Sequence, residues 1–191
     1  KQTRNRRQRR QRARKQNRRA VNTSSYVGIP DEFTMRMKYV ETISDTSGAY
    51  NEHLYRGNSI YDPNSTGVGG QPMYRDQLMA LYSRYQVMSS KIKITLIQRT
   101  ASSEGSFGTV GVYPMIDSSS ALGYATAQER DYARTEFFGP NTGNTSVVEL
   151  QHDMSLSKMY GITEDFAKND ADYSASESNN PFYQWYWHVY Y

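Results

Sequence analysis

Apolar and polar side chains alternate in several segments of this chain, which is the period of a half-buried β-strand. The alternation is strongest in Gln86–Thr100, where Ile92, Ile94 and Leu96 are separated by Lys91, Lys93 and Thr95. It recurs in six more segments that we also predict as strands: Phe33–Ile43, His53–Asp62, Gly108–Ile116, Ala133–Gly139, Ser146–Met154 and Pro181–Tyr191.

Two segments change to a helical period. Met73–Tyr85 carries its apolar side chains at near-helical spacing, which predicts a short helix at one end of a sheet. Ser155–Gly161 is predicted as one helical turn that Gly161 closes, and a further turn is expected near Ala127–Tyr132. The composition of Asp62–Pro72 indicates a loop, and that of Glu164–Asn180 an acidic surface loop.

Seven or eight strands with long connections and two short helices predict an all-β fold. Connections too long for tight hairpins favour an eight-stranded jelly roll, in which two antiparallel sheets pack together, over an up-and-down barrel. A βαβ arrangement is excluded because too few helical segments are available as crossovers. In the last strand, alternation directs Trp185, Trp187 and Val189 to the core. It directs Tyr186, His188 and Tyr190 to the other face, which would meet a neighbouring subunit or the interior of an assembly, so these three are candidate interface contacts. Stacking of nucleic-acid bases on the aromatic side chains of this strand is the alternative.

The first nineteen residues differ from the rest of the chain in charge, because they hold eleven of the 23 Lys and Arg residues and none of the 19 acids. This segment, Lys1–Arg19, is called the arm below. It has no apolar side chain larger than that of Ala13 and carries a charge of +11, whereas the rest of the chain, with 12 cations, carries −7. Residues 1–20 are therefore predicted as a disordered nucleic-acid-binding arm, 21–30 as a hinge and 31–191 as the folded domain.

A dense polycation binds phosphates through counterion release, and arginine adds bidentate contacts. A solubility tail or a bare localisation signal is the alternative reading of the same residues. The candidate nucleic-acid contacts in the arm are Arg4, Arg6, Arg7, Arg9, Arg10, Arg12, Arg14, Lys15, Arg18 and Arg19. Arg36, Lys38, Lys91 and Lys93 would extend this set if their strands lie side by side in one sheet.

No catalytic constellation is visible, so the chain is predicted not to be an enzyme and to need no cofactor. There is no cysteine, the three histidines are scattered, and the acids of Glu164–Asp172 lack the spacing of an EF-hand, so no metal site is predicted. The glycines of Asp62–Pro72 lack the Gly-Lys-Ser/Thr of a phosphate-binding loop. No stretch approaches 18 apolar residues, so membrane insertion is not expected.

The order of several motifs resembles the capsid proteins of circular, Rep-encoding single-stranded DNA viruses, in particular circovirus-like members. A basic arm precedes PDEFTMRMKYVET, and YRGNSIYDPNSTGVGGQPMYRDQLMALYSRYQVMSSKIKIT follows it. The late segments HDMSLSKMYGI and NPFYQWYWHVYY are similar to elements of that family, with Asp153 as a departure where an aromatic side chain is commoner. The resemblance covers nearly the whole folded part.

The resemblance implies an eight-stranded jelly roll, of which about 60 copies assemble into a small icosahedral shell of T=1 type. It further implies that the arm packages a circular single-stranded DNA genome and directs nuclear import by the host machinery. The protein is then expected in the virion and the host nucleus, with an unknown cell receptor. Two alternatives stay open: a capsid protein of a small single-stranded RNA virus, or a non-viral β-rich nucleic-acid-binding protein.

Overall fold

The structure is a computed structural model, and it describes residues 28–44, 49–98, 108–121, 123–139 and 146–191. The chain divides into two units, Lys1–Arg36 and Met37–Tyr191. Of the first unit, residues 28–36 are described, and they form neither helix nor strand. The described part of the second unit is mostly β-structure, arranged in two antiparallel sheets with a few short helices.

The larger sheet has four antiparallel strands in the order β1-β6-β3-β4. Its members are β1 (Glu52–Arg56), β6 (Tyr186–Tyr190), β3 (Gly108–Met115) and β4 (Arg134–Phe138). The smaller sheet pairs β2 (Ser89–Gln98) with β5 (Ser146–Ser155) along ten residues of each strand. The last strand of the described chain, β6, therefore lies between β1 and β3 in the middle of the larger sheet.

The helices are short and connect or cover the sheets. They are α1 (Arg75–Met79), α2 (Tyr124–Gln128), α3 (Leu156–Tyr160) and α4 (Glu164–Asn169), with a 3-10 turn at Ala171–Tyr173. The helix α3 begins at Ser155, whose Oγ accepts a hydrogen bond from the backbone N–H of Lys158, and ends at Gly161 in the left-handed conformation. These are favourable terminal residues for a helix, because a hydroxyl satisfies a free N–H and glycine adopts a positive φ without strain.

The two sheets bury an apolar core between them. Val112, Trp187 and Val189 project from the larger sheet toward Leu150 and Met154 of β5. Ile92 and Ile94 of β2 pack against the same cluster. The indole Nε1 of Trp187 also donates a hydrogen bond of 2.9 Å to Ser90 Oγ, which ties the middle of the larger sheet to the smaller one. The predicted core positions Trp185, Trp187 and Val189 are confirmed.

A second apolar layer covers the opposite face of the larger sheet. Tyr113 and Tyr190 are buried there with Ala121 and Ala127, the latter from α2. The ring of Tyr190 lies directly over Gly111, the residue opposite it in the sheet, where any Cβ atom would collide with the ring. Both faces of β3 and β6 are thus buried within the chain, which explains the near-continuous aromatic sequence of β6.

The prediction of a mostly β fold with two antiparallel sheets is confirmed, whereas the predicted eight strands are not, because the described residues contain six. The predicted strand Phe33–Ile43 is wrong, since none of its residues is in a sheet. Three predicted elements are shorter than expected: β1 ends at Arg56, α1 covers Arg75–Met79, and β6 begins at Tyr186. The predicted acidic loop Glu164–Asn180 contains instead α4 and the 3-10 turn.

Candidate functional site

The ten candidate nucleic-acid contacts of the arm lie outside the described residues. They are Arg4, Arg6, Arg7, Arg9, Arg10, Arg12, Arg14, Lys15, Arg18 and Arg19. The structure therefore neither adds to nor changes their interpretation, which rests on the charge of +11 and on the abundance of arginine.

Arg36 and Lys38 lie in a described segment and are both exposed. Neither belongs to a strand, and β2, which carries Lys91 and Lys93, pairs only with β5 among the described strands. The condition for joining the four cations into one patch, that their strands lie side by side in a sheet, is therefore not met. An alternating pattern reports which side chains share a face, but it does not specify a neighbouring strand.

Lys91 and Lys93 are exposed on the outer face of the smaller sheet, together with acidic residues of β5. Lys91 is opposite Asp153, and Lys93 Nζ lies 2.8 Å from Glu149 Oε1. Both members of the second pair are more than half exposed, so this ion pair contributes at most about 1 kcal/mol to folding stability. With two lysines and two acids the face is neutral, and it offers little attraction to a polyanion.

The predicted interface residues on β6 are largely internal to the chain. The side chains of His188 and Tyr190 are fully buried, and Tyr186 is half-buried. Tyr190 Oη lies 2.6 Å from Thr135 Oγ1 of β4, and His188 contacts Glu52 and Asp117. The chain's own residues cover this face, because α2 and the loop before it pack on the larger sheet. A direct contact of His188 or Tyr190 with another subunit does not agree with this burial.

A buried cluster of polar side chains surrounds Glu52 on the same face. Glu52 comes from β1, His188 from β6, and Tyr113 from β3, so the order of strands in the sheet brings the three side chains together. The side chain of Glu52 is 3% exposed and that of His188 is 0% exposed. Glu52 Oε1 is 2.6 Å from His188 Nδ1 and accepts a hydrogen bond of 2.6 Å from Tyr113 Oη.

The second carboxylate oxygen of Glu52 accepts hydrogen bonds from three more donors. These are the backbone N–H of Ala121 at 2.8 Å, the hydroxyl of Tyr50 at 3.1 Å and the hydroxyl of Ser120. Burial alone would raise the pKa of Glu52, but the hydrogen bonds from Ser120, Tyr113 and His188 hold this pKa below its ordinary value. Burial and the neighbouring carboxylate raise the pKa of Tyr113, which keeps its hydroxyl a donor.

The sequence analysis missed this cluster. Glu52 and His188 are 136 residues apart, and their sequence neighbours carry no motif that links them. The cluster is buried and holds a loop of the chain, so its geometry is that of a structural site.

His152 occupies a separate position on β5. Its Nε2 lies 2.7 Å from the carbonyl oxygen of Tyr132, its ring packs 5.2 Å from that of Trp187, and its Nδ1 is buried without a hydrogen-bond partner. Within the described residues, no group of three or more His, Asp or Glu side chains is arranged to hold a metal ion. His152–Asp153 and the acids of α4 therefore give no support to a cation site.

Several large apolar side chains are exposed on the described surface. One group is aromatic and lies on α4 and before β6: Phe166, Phe182 and Tyr183, with ring centroids of the last two 5.1 Å apart. A second group lies on the segment that leads into α1: Val68, Met73 and Tyr74. Large exposed apolar groups of this kind are typical of surfaces that contact another protein.

Comparisons with models of known protein families, with curated proteins and with solved structures each gave no significant match. Among the described residues no helix is both long and apolar enough to cross a membrane. The functional interpretation therefore rests on the sequence and on the geometry described above.

Proposed function

We propose that this chain is a viral capsid protein whose folded domain assembles into a closed shell and whose arm packages circular single-stranded DNA. The observation that carries the proposal is the separation of charge along the chain. Eleven cations without an acid precede a domain of charge −7. A polycation of this density repels itself unless a polyanion neutralises it, whereas the acidic domain is suited to stay outside the nucleic acid.

The described surface supports self-association of the domain. Large apolar side chains are exposed at several places on the described surface, among them the aromatic group of Phe166, Phe182 and Tyr183 and the segment with Val68, Met73 and Tyr74. A chain that assembles with copies of itself needs at least two different contact surfaces if the shell is to close in three dimensions. The exposed aromatic group and the exposed segment before α1 are the surfaces that we assign to these contacts.

The finer assignment as an eight-stranded jelly roll is part of this proposal, and the edge of β2 supports it. Leu156 N donates a hydrogen bond to the carbonyl oxygen of Met88, the residue just before β2, so these two residues form a hydrogen-bonded pair of the antiparallel ladder. Because such pairs recur at every second residue, the backbone N–H and C=O groups of the even-numbered residues of β2 point toward β5. The backbones of Lys91 and Lys93 then point to the opposite edge, along which no described strand pairs. Two further strands added there would complete a four-on-four sandwich.

The type of nucleic acid and the cellular route follow from the family resemblance alone. Arginine contacts with phosphate do not distinguish DNA from RNA, so the choice of single-stranded DNA comes from the similarity of the motifs to circovirus-like capsid proteins. Nuclear import through the arm and location in the virion and the host nucleus have the same origin. The RNA-virus capsid and the non-viral nucleic-acid-binding protein are the alternatives that an experiment must separate.

Deletion of Lys1–Arg19 tests the division of labour between the arm and the domain. We expect the shortened chain to fold and to assemble, while the nucleic acid that co-purifies with it falls to the background of an unrelated protein. The nucleic acid from the full chain should be degraded by deoxyribonuclease and resist ribonuclease. Sensitivity to ribonuclease alone would select the RNA-virus alternative, and unchanged nucleic-acid content after the deletion would reject the role of the arm.

A further inference from the structure

The imidazole of His188 lies between two hydrogen-bond acceptors. Its Nδ1 is 2.6 Å from Glu52 Oε1, and its Nε2 is 2.8 Å from the backbone carbonyl oxygen of Asp117. A neutral imidazole has one N–H and one lone pair, whereas an imidazolium has two N–H groups. A neutral ring therefore satisfies both contacts only if Glu52 is a carboxylic acid that donates its own proton to Nδ1.

The other partners of Glu52 favour its charged form. The hydroxyls of Tyr50, Tyr113 and Ser120 and the backbone N–H of Ala121 all donate to its two oxygens. Donors that converge on a carboxylate stabilise the ionised state, and four of them do so here without counting His188. The proton between the two residues therefore belongs on the imidazole.

We propose that Glu52 and His188 form a buried carboxylate–imidazolium pair, and that this pair latches the loop Ile116–Ala121 onto the larger sheet. The ring of Tyr113 adds to the stability of the cation. It stacks on the ring of His188 with centroids 4.6 Å apart and planes inclined by 16°. A cation over the face of an aromatic ring is attracted by the ring's electrons, and more strongly where water is excluded. The pair is a property of the folded chain and does not depend on the proposed function.

The loop is attached to the pair at three points. The carbonyl of Asp117 accepts from His188 Nε2, and the N–H of Ala121 and the hydroxyl of Ser120 donate to Glu52. In each of these hydrogen bonds the charged group is either the imidazolium of His188 or the carboxylate of Glu52, so each bond is stronger than one between neutral groups. Neutralising either Glu52 or His188 weakens the attachment at both ends of the loop, because each charge stabilises the charged form of the other residue.

The latched loop forms part of the wall of an open groove of about 460 Å³. Ile116 and Asp117 of the loop line it together with Arg130, Tyr132 and Met159. The pair therefore holds the part of the groove wall that Ile116 and Asp117 form. Three tyrosines surround the pair: Tyr50, Tyr113 and Tyr186 of β6. The other titratable groups nearby are the Asp117 carboxylate, which accepts a hydrogen bond from Ser119 N, and Arg130, whose charge lowers the pKa of Tyr113.

Nitrogen NMR of the full chain, labelled with ¹⁵N-histidine, tests the protonation of His188 directly. The chain has three histidines, and the signals lost in His188→Gln identify this one. At neutral pH we expect protons on both ring nitrogens of His188. His152 is the internal comparison, because only its Nε2 faces an acceptor. A His188 ring with one proton at neutral pH would overturn the charged pair.

Hydrogen exchange at the amide of Ala121 tests the latch. Glu52→Gln removes the negative charge but keeps an acceptor of nearly the same shape. We expect exchange at Ala121 to accelerate by about tenfold or more, which corresponds to losing roughly 1.4 kcal/mol of a charge-assisted bond. Ser120→Ala keeps both charges and serves as the control, with a smaller acceleration. Equal exchange in the parent chain and in Glu52→Gln would contradict the latch, and if Glu52→Gln does not fold, the histidine spectrum of the parent chain decides.

Discussion

Close packing against Trp185 leaves no space for a side chain at Gly57. Gly57 N donates a hydrogen bond of 2.8 Å to the carbonyl of Trp185, and a Cβ atom at position 57 would overlap the buried indole ring. Trp185 is itself almost completely buried between the sheets and has little room to move. The glycine is therefore required for space and not for an unusual backbone angle.

We predict that Gly57→Ala lowers the free energy of unfolding by about 1–3 kcal/mol, the usual cost of overpacking a dense core. Gly70→Ala is the matched control, because a Cβ atom at that position meets no atom within 4 Å. Chemical denaturation of the two variants and the parent chain measures the difference. Equal destabilisation by both substitutions would show that the ring of Trp185 does not limit position 57.

The ionisation of Glu52 predicts a dependence of stability on acid. Its pKa in the folded chain lies below the ordinary value of 4.5, so ionised Glu52 stabilises the folded state above that pH. This contribution is lost as the pH falls through the lowered pKa of the folded chain. We expect the free energy of unfolding to fall more steeply below pH 4.5 in the parent chain than in Glu52→Gln. Parallel curves for the two proteins would contradict the assignment.

At the scale of single elements, the N-terminal residue of α3 supports a helix of only five residues. Ser155 Oγ accepts a hydrogen bond of 3.1 Å from the N–H of Lys158, which lies in the first turn and so has no acceptor within the helix. We predict that Ser155→Ala lowers the free energy of unfolding by about 1 kcal/mol. Ser178→Ala, which changes an exposed serine in a turn, should leave it nearly unchanged. Thermal or chemical denaturation distinguishes the two, and similar losses would exclude the capping role.

Elements with local signals were predicted well from the sequence. The alternation in Gln86–Thr100 corresponds to β2, and that in Ser146–Met154 to β5. Ser155 and Gly161 marked the two ends of α3, because a helix start and a helix end each depend on a few neighbouring residues. The same kind of signal was overlooked at α4, where Thr163 precedes two acids in the first helical turn.

Features that depend on distant partners were not predicted. Phe33–Ile43 has the alternation of a strand, yet a strand also needs a neighbour with a free edge, and the sequence does not name one. The Glu52 cluster requires β1, β3 and β6 to lie side by side, which is a property of the topology. The outer residues of β6 were assigned to an interface for the same reason, because alternation does not show that α2 covers them.

At the scale of the whole molecule, we assign the proposed nucleic-acid binding to the arm and not to the smaller sheet. Lys91 and Lys93 share their face with Glu149 and Asp153, so their contribution to binding should be small. We predict that neutralising Arg9 and Arg10 lowers the magnitude of the salt slope for single-stranded DNA by about 0.7 for each charge. The pair Lys91→Gln and Lys93→Gln removes the same charge and should leave the slope nearly unchanged. Equal changes of the salt slope in the two double variants would show that Lys91 and Lys93 of the smaller sheet also contact the nucleic acid.

Assembly is the central claim, and the mass of the purified full chain at physiological salt tests it most directly. Light scattering combined with electron microscopy reports both the mass and the shape of the particle. The proposal predicts closed, uniform shells of about 60 copies, as expected for a symmetric assembly built from one kind of subunit. A species near the 22.0 kDa of a single chain, with no larger particles, would contradict it.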